Sequence, residues 1–595
     1  MSRLEVERLS IRYGDTAVVD RVSFTVERGQ SVGLVGESGS GKSQTALAIM
    51  GLLPPAASVS GAIRYAGEQL VGAPEARLRK LRSRRIAMVF QDPTLSLNPY
   101  LRVGRQLAEV LRAPGLKATR PATGKSLRGR IVAALERVGL PDPERQFTSY
   151  PHELSGGMRQ RVMIAAALLG KPDILIADEP TTALDVTVQA GILALLDELR
   201  DETALLLISH DLGIIAGHCE RMLVLDQGRL IESNDTLAVF RAPEQARTRA
   251  LIRAAAGDAG SSPPDLPAGQ TPVLQVESLD VAYRLPQRQT LRAVRQLGFT
   301  LGAGEALAIV GESGSGKSSL AHVLTGLVPP AAGTVRFDGE TLSAGVAART
   351  AVQKRGIQLV FQNPANSLSP TFRVRDILAE PLIVHGIGRS ELSARIAGAA
   401  ASVGLDEALL ERHPHELSGG QAQRVAIARA LVLEPRVLIC DEAVAALDGR
   451  IRNSVLDLLR RVQAETGLSI VFISHDLSVV KRIAHRVLVM YLGRAVETGS
   501  TSKVFDTPAH PYTRALLAAV PNPDPLDPGG QAVLRGEAPS VLAPPSGCVF
   551  RSRCGYARQA CSERVPALEP LSPGHDSAAA CLRLKDPELS GPAKG

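Results

Sequence analysis

The octapeptide GESGSGKS stands twice in this chain, at residues 36–43 and again at 311–318. Each copy fits the pattern G-x-x-x-x-G-K-S and follows a short apolar run, Ser31–Val35 or Ala306–Val310, giving the order strand, loop, helix that a phosphate-binding loop requires. Glycines let the chain turn tightly, so that backbone N–H groups and the start of the next helix surround phosphate oxygens. In the first copy that cradle is Gly36, Glu37, Ser38, Gly39, Ser40, Gly41, Lys42 and Ser43; in the second it is Gly311, Glu312, Ser313, Gly314, Ser315, Gly316, Lys317 and Ser318. Lys42 and Lys317 are expected to reach the β- and γ-phosphates of ATP. Ser43 and Ser318 are expected to place a hydroxyl on Mg²⁺.

An apolar run ending in two acids follows each loop: residues 174–177 lead into Asp178 and Glu179, and residues 437–440 lead into Asp441 and Glu442. The aspartates suit Mg²⁺, a hard ion that takes oxygen ligands and keeps much of its water. The glutamates suit polarising an attacking water. A third element, LSGG, places Ser155, Gly156 and Gly157, and then Ser418, Gly419 and Gly420, before an apolar helix, which makes a second kind of anion site. A fourth, ISHD, carries His210 and His475 behind apolar runs. For a lone histidine a satisfied strand end would be the preferred reading, but here the ISHDL context recurs at 473–477.

The elements that must hold these groups recur at near-constant intervals. Gly36 and Gly311 are 275 residues apart, Gln91 and Gln362 271, Ser155 and Ser418 263, and His210 and His475 265, which marks the duplication of a whole domain. A Gly, Ser and Pro-rich linker at 256–271 divides a first domain, 1–255, from a second, 272–520, and a Pro-rich extension with four cysteines occupies 521–595. In the first half strand-like runs at 31–35, 174–177 and 204–208 alternate with helical stretches at 158–169 and 188–199, an α/β pattern with helices on both sheet faces. The alternating β-branched segments 4–11 and 18–26 look antiparallel, so a mixed sheet is expected.

Composition sets limits. A chain of 595 residues is too long for one core. No apolar run approaches the roughly 18 residues of a membrane-spanning helix, and the opening MSRLEVERLS lacks an apolar signal core, so a cytosolic chain is expected. The net charge of +8 comes from 68 basic against 60 acidic residues, a modest excess that reads as solvated surface. The densest basic runs, 77–85 and 117–130, read as helical faces, and the absence of Trp argues against base-stacking platforms. No nucleic-acid partner is expected.

Taken together, the loop, the acid pair and LSGG resemble the ATP-binding cassette (ABC) family over nearly all of both halves. The resemblance implies that Gln91 and Gln362 are the Q-loop glutamines, that they share in binding Mg²⁺ and in catalysis, and that His210 and His475 contact the γ-phosphate. Residues 183–185 and 446–448 match the D-loop. Tyr13 and Tyr283 stand where an aromatic ring stacks on adenine, although both read equally as strand-surface tyrosines. In this family ATP lies between two cassettes. One site would then combine Lys42, Asp178 and Glu179 with Ser418, Gly419 and Gly420, and its twin Lys317, Asp441 and Glu442 with Ser155, Gly156 and Gly157. Two tethered cassettes meet at high effective concentration, so no further copy of the chain is needed. The second half reads CDEAVAALD where the first reads ADEPTTALD, with Ala443 in place of the usual proline; Glu442 is intact and both sites are expected to hydrolyse ATP.

The segments FQDPTLSLNP and FQNPANSLSP, together with HPYTRALL at 510–517, look like the dipeptide, oligopeptide and nickel importer subfamily. That likeness implies two membrane permease subunits, an extracytoplasmic solute-binding protein, and a place on the cytoplasmic face of the bacterial inner membrane. A soluble double cassette acting on ribosomes or DNA is the alternative. It is disfavoured because the linker is short and nearly uncharged and the cassettes carry no large insertions. Cys548, Cys554, Cys561 and Cys581, spaced C-x5-C-x6-C-x19-C, favour a metal over disulfides in a cytosolic chain. The resemblance extends to a four-thiolate 4Fe–4S cluster; zinc and unliganded thiols are the alternatives. Cys219 and Cys440 read as small core residues.

Overall fold

The computed structural model describes residues 3–82, 84–92, 96–112, 127–182, 184–256, 271–286, 289–362, 364–445, 447, 449–527, 529, 534, 536, 538–571 and 577–586. Most of the linker and D-loop residues Ala183, Ala446 and Asp448 fall outside them. The chain forms two compact units, Met1–Asp258 with Ala519–Val533, and Ala259–Ala518 with Leu534–Gly595. The segment that the sequence marks off after Pro521 thus contributes residues to both units.

The main sheet of the first unit runs in the order Arg229–Asp235, Arg221–Asp226, Ser31–Val35, Ala204–Ile208, Ile174–Asp178, Ile86–Val89. Its strands pair in parallel except for the hairpin of Arg221–Asp226 and Arg229–Asp235. Every residue of Ser31–Val35, Ile174–Asp178 and Ala204–Ile208 is buried, which is why these strands read as unbroken apolar runs: both sheet faces are covered. The main sheet is mixed, as expected, but its antiparallel member is Arg229–Asp235. Segments 4–11 and 18–26 instead build a separate antiparallel sheet, ordered Thr16–Val26, Leu4–Tyr13, Ala57–Tyr65, Glu68–Gln69. Their alternation explains the difference, because Leu4, Val6, Leu9 and Ile11 face the core while Glu5 and Glu7 between them are less buried, a pattern suited to a sheet with one wet face.

The second unit repeats both sheets. Its antiparallel sheet is Thr290–Gly302, Pro272–Arg284, Ala332–Phe337 and Glu340–Thr341, and its main sheet begins Ile357–Val360, Val437–Asp441, Ser469–Ser474, Ala306–Val310, Arg486–Tyr491, Arg494–Ser500. The extension lengthens that sheet with Ala578–Ala579 and Glu569–Pro570, which pair beyond Arg494–Ser500. The added strands cover an edge that would otherwise present unpaired backbone groups.

Each phosphate loop turns into its helix, Lys42–Met50 or Lys317–Leu324, at a glycine with positive φ: 98° at Gly41 and 101° at Gly316. A Cβ on Gly316 would meet the carbonyl oxygen of Ala293 at 2.2 Å, so no other residue fits without moving backbone. The helices Gly156–Leu168 and Gly419–Leu431 start at Ser155 and Ser418, whose hydroxyls accept from the backbone N–H groups of Met158 and Gln421. Gln421 also reaches back to the N–H of Ser418, completing a capping box that Met158 cannot form.

Candidate functional site

Parallel strands end at a common edge, and in each unit that edge gathers the groups singled out above. Ser31–Val35 delivers the phosphate loop, Ile174–Asp178 the acid pair, Ala204–Ile208 the histidine, and Ile86–Val89 leads to Gln91. The hydroxyl of Ser43 donates to Asp178 Oδ1 at 3.1 Å, and Ser318 to Asp441 Oδ1 at 3.2 Å. Gln91 Nε2 donates to Glu179 Oε2 at 3.0 Å, and Gln362 to Glu442 Oε2 at 2.7 Å. On the other carboxylate oxygen, His210 Nδ1 stands 3.3 Å from Glu179 and His475 Nδ1 3.2 Å from Glu442. Both glutamates occupy a left-handed turn, φ 46° and 49°, with their N–H groups tied to Ile208 and Ile473.

The lysines are buried and fold back on their own loops. Lys42 Nζ donates to the carbonyls of Gly36 and Glu37 at 2.8 and 2.9 Å; Lys317 does the same to Gly311 and Glu312 at 2.7 and 2.9 Å. Ser40 Oγ is buried and finds no hydrogen-bond partner among the described residues, an orphaned group on the loop where phosphate oxygens would lie. The neighbouring serine and aspartate offer Mg²⁺ an all-oxygen donor set.

Burial pushes Asp178 up to about 6, with the Ser43 hydrogen bond opposing and the Glu179 charge adding to the rise. Asp441 is raised for the same reasons. Burial also works against charge on Glu179, yet His210, Thr182 and Lys42 together hold it below the ordinary glutamate range. His475 and Lys317 do the same for Glu442. Each acid pair is therefore split: the aspartate is raised by burial, while the glutamate beside it is held below its ordinary range by its partners. The halves differ in one donor, since Thr182 gives Glu179 a hydrogen bond at 2.9 Å and Ala445 stands at the matching place. Ala443 is buried and leaves the contacts of Glu442 to Gln362 and His475 in place.

Tyr13 and Tyr283 lie at or near the ends of the strands Leu4–Tyr13 and Pro272–Arg284, part-buried against their cores; the hydroxyl of Tyr13 bonds Gln44 at 2.8 Å. The basic run near residue 77 is engaged in pairs, with Arg77 on Glu68 and Arg79 and Arg82 on Glu75. Cys219 and Cys440 are buried, and burial pushes the Cys440 thiol up to about 12. Cys548, Cys554, Cys561 and Cys581 line one cavity together with His510 and Phe550. No three His, Cys, Asp or Glu side chains among the described residues are placed to hold a metal ion. Sequence reasoning missed three residues that grip the loops, Arg247, Tyr512 and Arg553. Only Tyr512 carried a signal, as part of HPYTRALL.

Comparison with known proteins matches the ABC transporter family model at residues 19–182 and 294–445, and the oligopeptide/dipeptide transporter C-terminal region at 496–561. The chain is 44% identical over 535 residues to the peptidoglycan transport ATP-binding protein YejF of Agrobacterium fabrum, covering 87% of this chain and 96% of that one. It is 42% identical over 571 residues to the glutathione import ATP-binding protein GsiA of Pectobacterium atrosepticum, covering 88% and 90% respectively. The GsiA of Escherichia coli K12 is 40% identical over 574 residues, covering 89% and 91%.

The raised Asp178 makes a prediction about the nucleotide-free protein. A carboxyl whose folded pKa exceeds its unfolded value is easiest to keep when neutral, so its charge costs stability as pH rises from about 4 to 6 and beyond. Asp178→Asn is expected to stabilise the first unit by about 2–3 kcal/mol at pH 7.5 and by nothing near pH 4. Thermal or urea unfolding without nucleotide, run across that range, measures this. A wild type more stable than the variant at pH 7.5 contradicts it.

Proposed function

We propose that this chain, which belongs to the ABC transporter family, is the ATP-hydrolysing subunit of a bacterial importer for peptides or small peptide-like solutes. It works at the cytoplasmic face of the membrane with two permease subunits and an extracytoplasmic solute-binding protein. The observation that carries the enzymatic part is the repeated constellation of buried lysine, serine–aspartate pair, and glutamate held between glutamine and histidine. The match to the oligopeptide/dipeptide transporter C-terminal region, and relatives named for glutathione import and peptidoglycan transport, support the solute class.

Lys42 and Lys317 would exchange their carbonyl contacts for phosphate oxygens as ATP binds, and Ser43 with Asp178, or Ser318 with Asp441, would hold Mg²⁺. When bound, that ion neutralises charge building on the phosphates. Glu179 and Glu442, kept ionised, accept a proton from the attacking water, while Gln91 and Gln362 orient the glutamates and join the metal site. His210 and His475 sit where a γ-phosphate contact would feed back on the same glutamates. The family resemblance implies that Ser418, Gly419 and Gly420 would complete the Lys42 site, and Ser155, Gly156 and Gly157 the Lys317 site, through the N-termini of their helices. Nucleotide-driven shifts between open and closed cassettes then drive the permeases. Exposed Phe90 and Phe361 beside the two glutamines, and Tyr100 at 87% exposure, support a permease contact there. No described helix is long and apolar enough to cross a membrane.

Glu179→Gln combined with Glu442→Gln is expected to lower steady-state ATPase at least ~100-fold while ATP still binds. Each single variant should lose turnover at its own site. In proteoliposomes with the permeases, the solute-binding protein loaded with a short peptide should stimulate the wild type and not the double variant. ATPase answering only to ribosomes or DNA would count against the assignment.

For the four thiols a 4Fe–4S cluster is the reading we favour. Four cysteine thiolates are the usual ligands of such a cluster, and Cys548, Cys554, Cys561 and Cys581 line one cavity, which is what supports the reading. Burial pushes the Cys554 thiol up to about 11 and raises those of Cys548 and Cys581, so metal binding there would release protons. A bound cluster would cross-link the cysteines and so tie the extension together. Protein purified without oxygen is expected to be brown, to contain iron, and to lose both in Cys554→Ser. A colourless preparation with stoichiometric zinc would replace the cluster by a zinc site.

A further inference from the structure

The two phosphate loops are identical in sequence, yet they are gripped differently. In the first unit the Glu37 carboxylate pairs with Arg247 at 2.6 Å, and Arg247 also reaches Asp226 at 3.4 Å, in a partly exposed cluster. The matching positions in the second unit lie 265 residues on, the same interval that separates His210 from His475: Tyr491 for Asp226 and Tyr512 for Arg247. Tyrosines stand at both positions where the first half has the arginine and its acid. Glu312 would thereby lose its partner, but a residue of the Cys-bearing extension takes over. Arg553 Nη1 donates to both carboxylate oxygens of Glu312, at 3.0 and 2.8 Å, and the two side chains are only 6% and 5% exposed. Tyr512, now neutral, accepts the backbone N–H of Glu312 through its hydroxyl at 2.9 Å. The carbonyl of the same residue accepts from Lys317 at 2.9 Å. Glu312 is thus held by its N–H, its carbonyl and its side chain.

Arg553 directly precedes Cys554, and three residues before it Phe550 packs against Tyr491 and Tyr512, with ring centroids 5.3 and 5.4 Å away. Phe550 also lines the four-thiol cavity. One short segment therefore forms a wall of the cavity on one side and a clamp on the phosphate loop on the other.

We propose that Arg553 is a positioning residue for the second nucleotide site, so that the Cys-bearing extension sets the ATP affinity of that site and leaves the first site alone. A buried ion pair that loses one partner leaves an uncompensated charge, so removing Arg553 weakens the hold on Glu312. The first loop, held by Arg247 from its own unit, takes no part. Whatever orders the segment 548–554 acts on ATP through this contact. The inference rests on residues 311–318 binding ATP. Lys317→Ala tests that separately, because it must abolish nucleotide binding in the second half whatever Arg553 does.

The test uses the full chain and photolabelling with 8-azido-ATP over a range of concentrations, the labelled peptides being assigned to either half by mass spectrometry. Arg553→Met is expected to raise the concentration for half-maximal labelling of the second half about tenfold, the scale of a lost charged hydrogen bond, with the first half unchanged. Single-turnover hydrolysis at saturating ATP should hold its rate, a split that general damage to the second unit would not produce. Arg553→Lys should recover most of the affinity, and Arg247→Met should weaken the first half instead. If Arg553→Met fails to fold, the double variant Arg553→Met with Glu312→Gln removes both charges and carries the test: second-half affinity should fall as for Glu312→Gln alone. Labelling unchanged in the second half, or shifted equally in both halves, would overturn the proposal.

Discussion

A lysine ammonium buried among the carbonyls of its own loop is the interaction on which each half turns. Lys42 is 6% exposed and Lys317 5%, and a charge so removed from water is tolerable only if it is fully hydrogen-bonded. The loop must close around it, which brings Gly36 and Glu37, or Gly311 and Glu312, to within 2.9 Å of Nζ. The same closure leaves a positive charge at a helix N-terminus, a field that favours anions. Binding of phosphate and stability of the loop are therefore one electrostatic problem, and the rest of each unit supplies its boundary conditions.

Those conditions come from the parallel sheet. Its central strands are apolar because both faces are covered, so polar side chains can emerge only where the strands end. Asp178, Glu179, His210 and Gln91 meet there although they are spread over more than a hundred residues of chain. Duplication preserved this edge and let the surroundings drift. Ala445 stands where the first half has Thr182, Gln421 where it has Met158, and Tyr491 and Tyr512 where it has Asp226 and Arg247. The contacts of each glutamate with its glutamine and histidine are the same in both halves, and the supports around them are not.

The motif HPYTRALL acquires a physical meaning in that light. Glu497 accepts the N–H groups of Ala509 and His510 and fixes the start of the motif, as Glu232 does for Glu244 and Gln245 in the first half. Burial pushes His510 down to about 3, so it faces the thiol cavity as a neutral ring. Tyr512, two residues on, holds the phosphate loop. The motif is the partition between the two.

The sequence by itself determined the duplication, the α/β alternation, both phosphate loops, the acid pairs, the glutamines and the histidines, because each of these is local: a glycine pattern at one turn, an apolar run ending in charge, a constant interval between copies. It also marked the four cysteines as a group. What only the tertiary structure decided depends on contacts between residues far apart in the chain. The segments 4–11 and 18–26 read correctly as strands, but which sheet they join is set by packing on one face. Arg553 reads as one arginine among many until folding brings it against Glu312, 241 residues earlier in the chain. No local pattern announces such a pair, since its energy comes from shared burial, and burial exists only once the chain has closed.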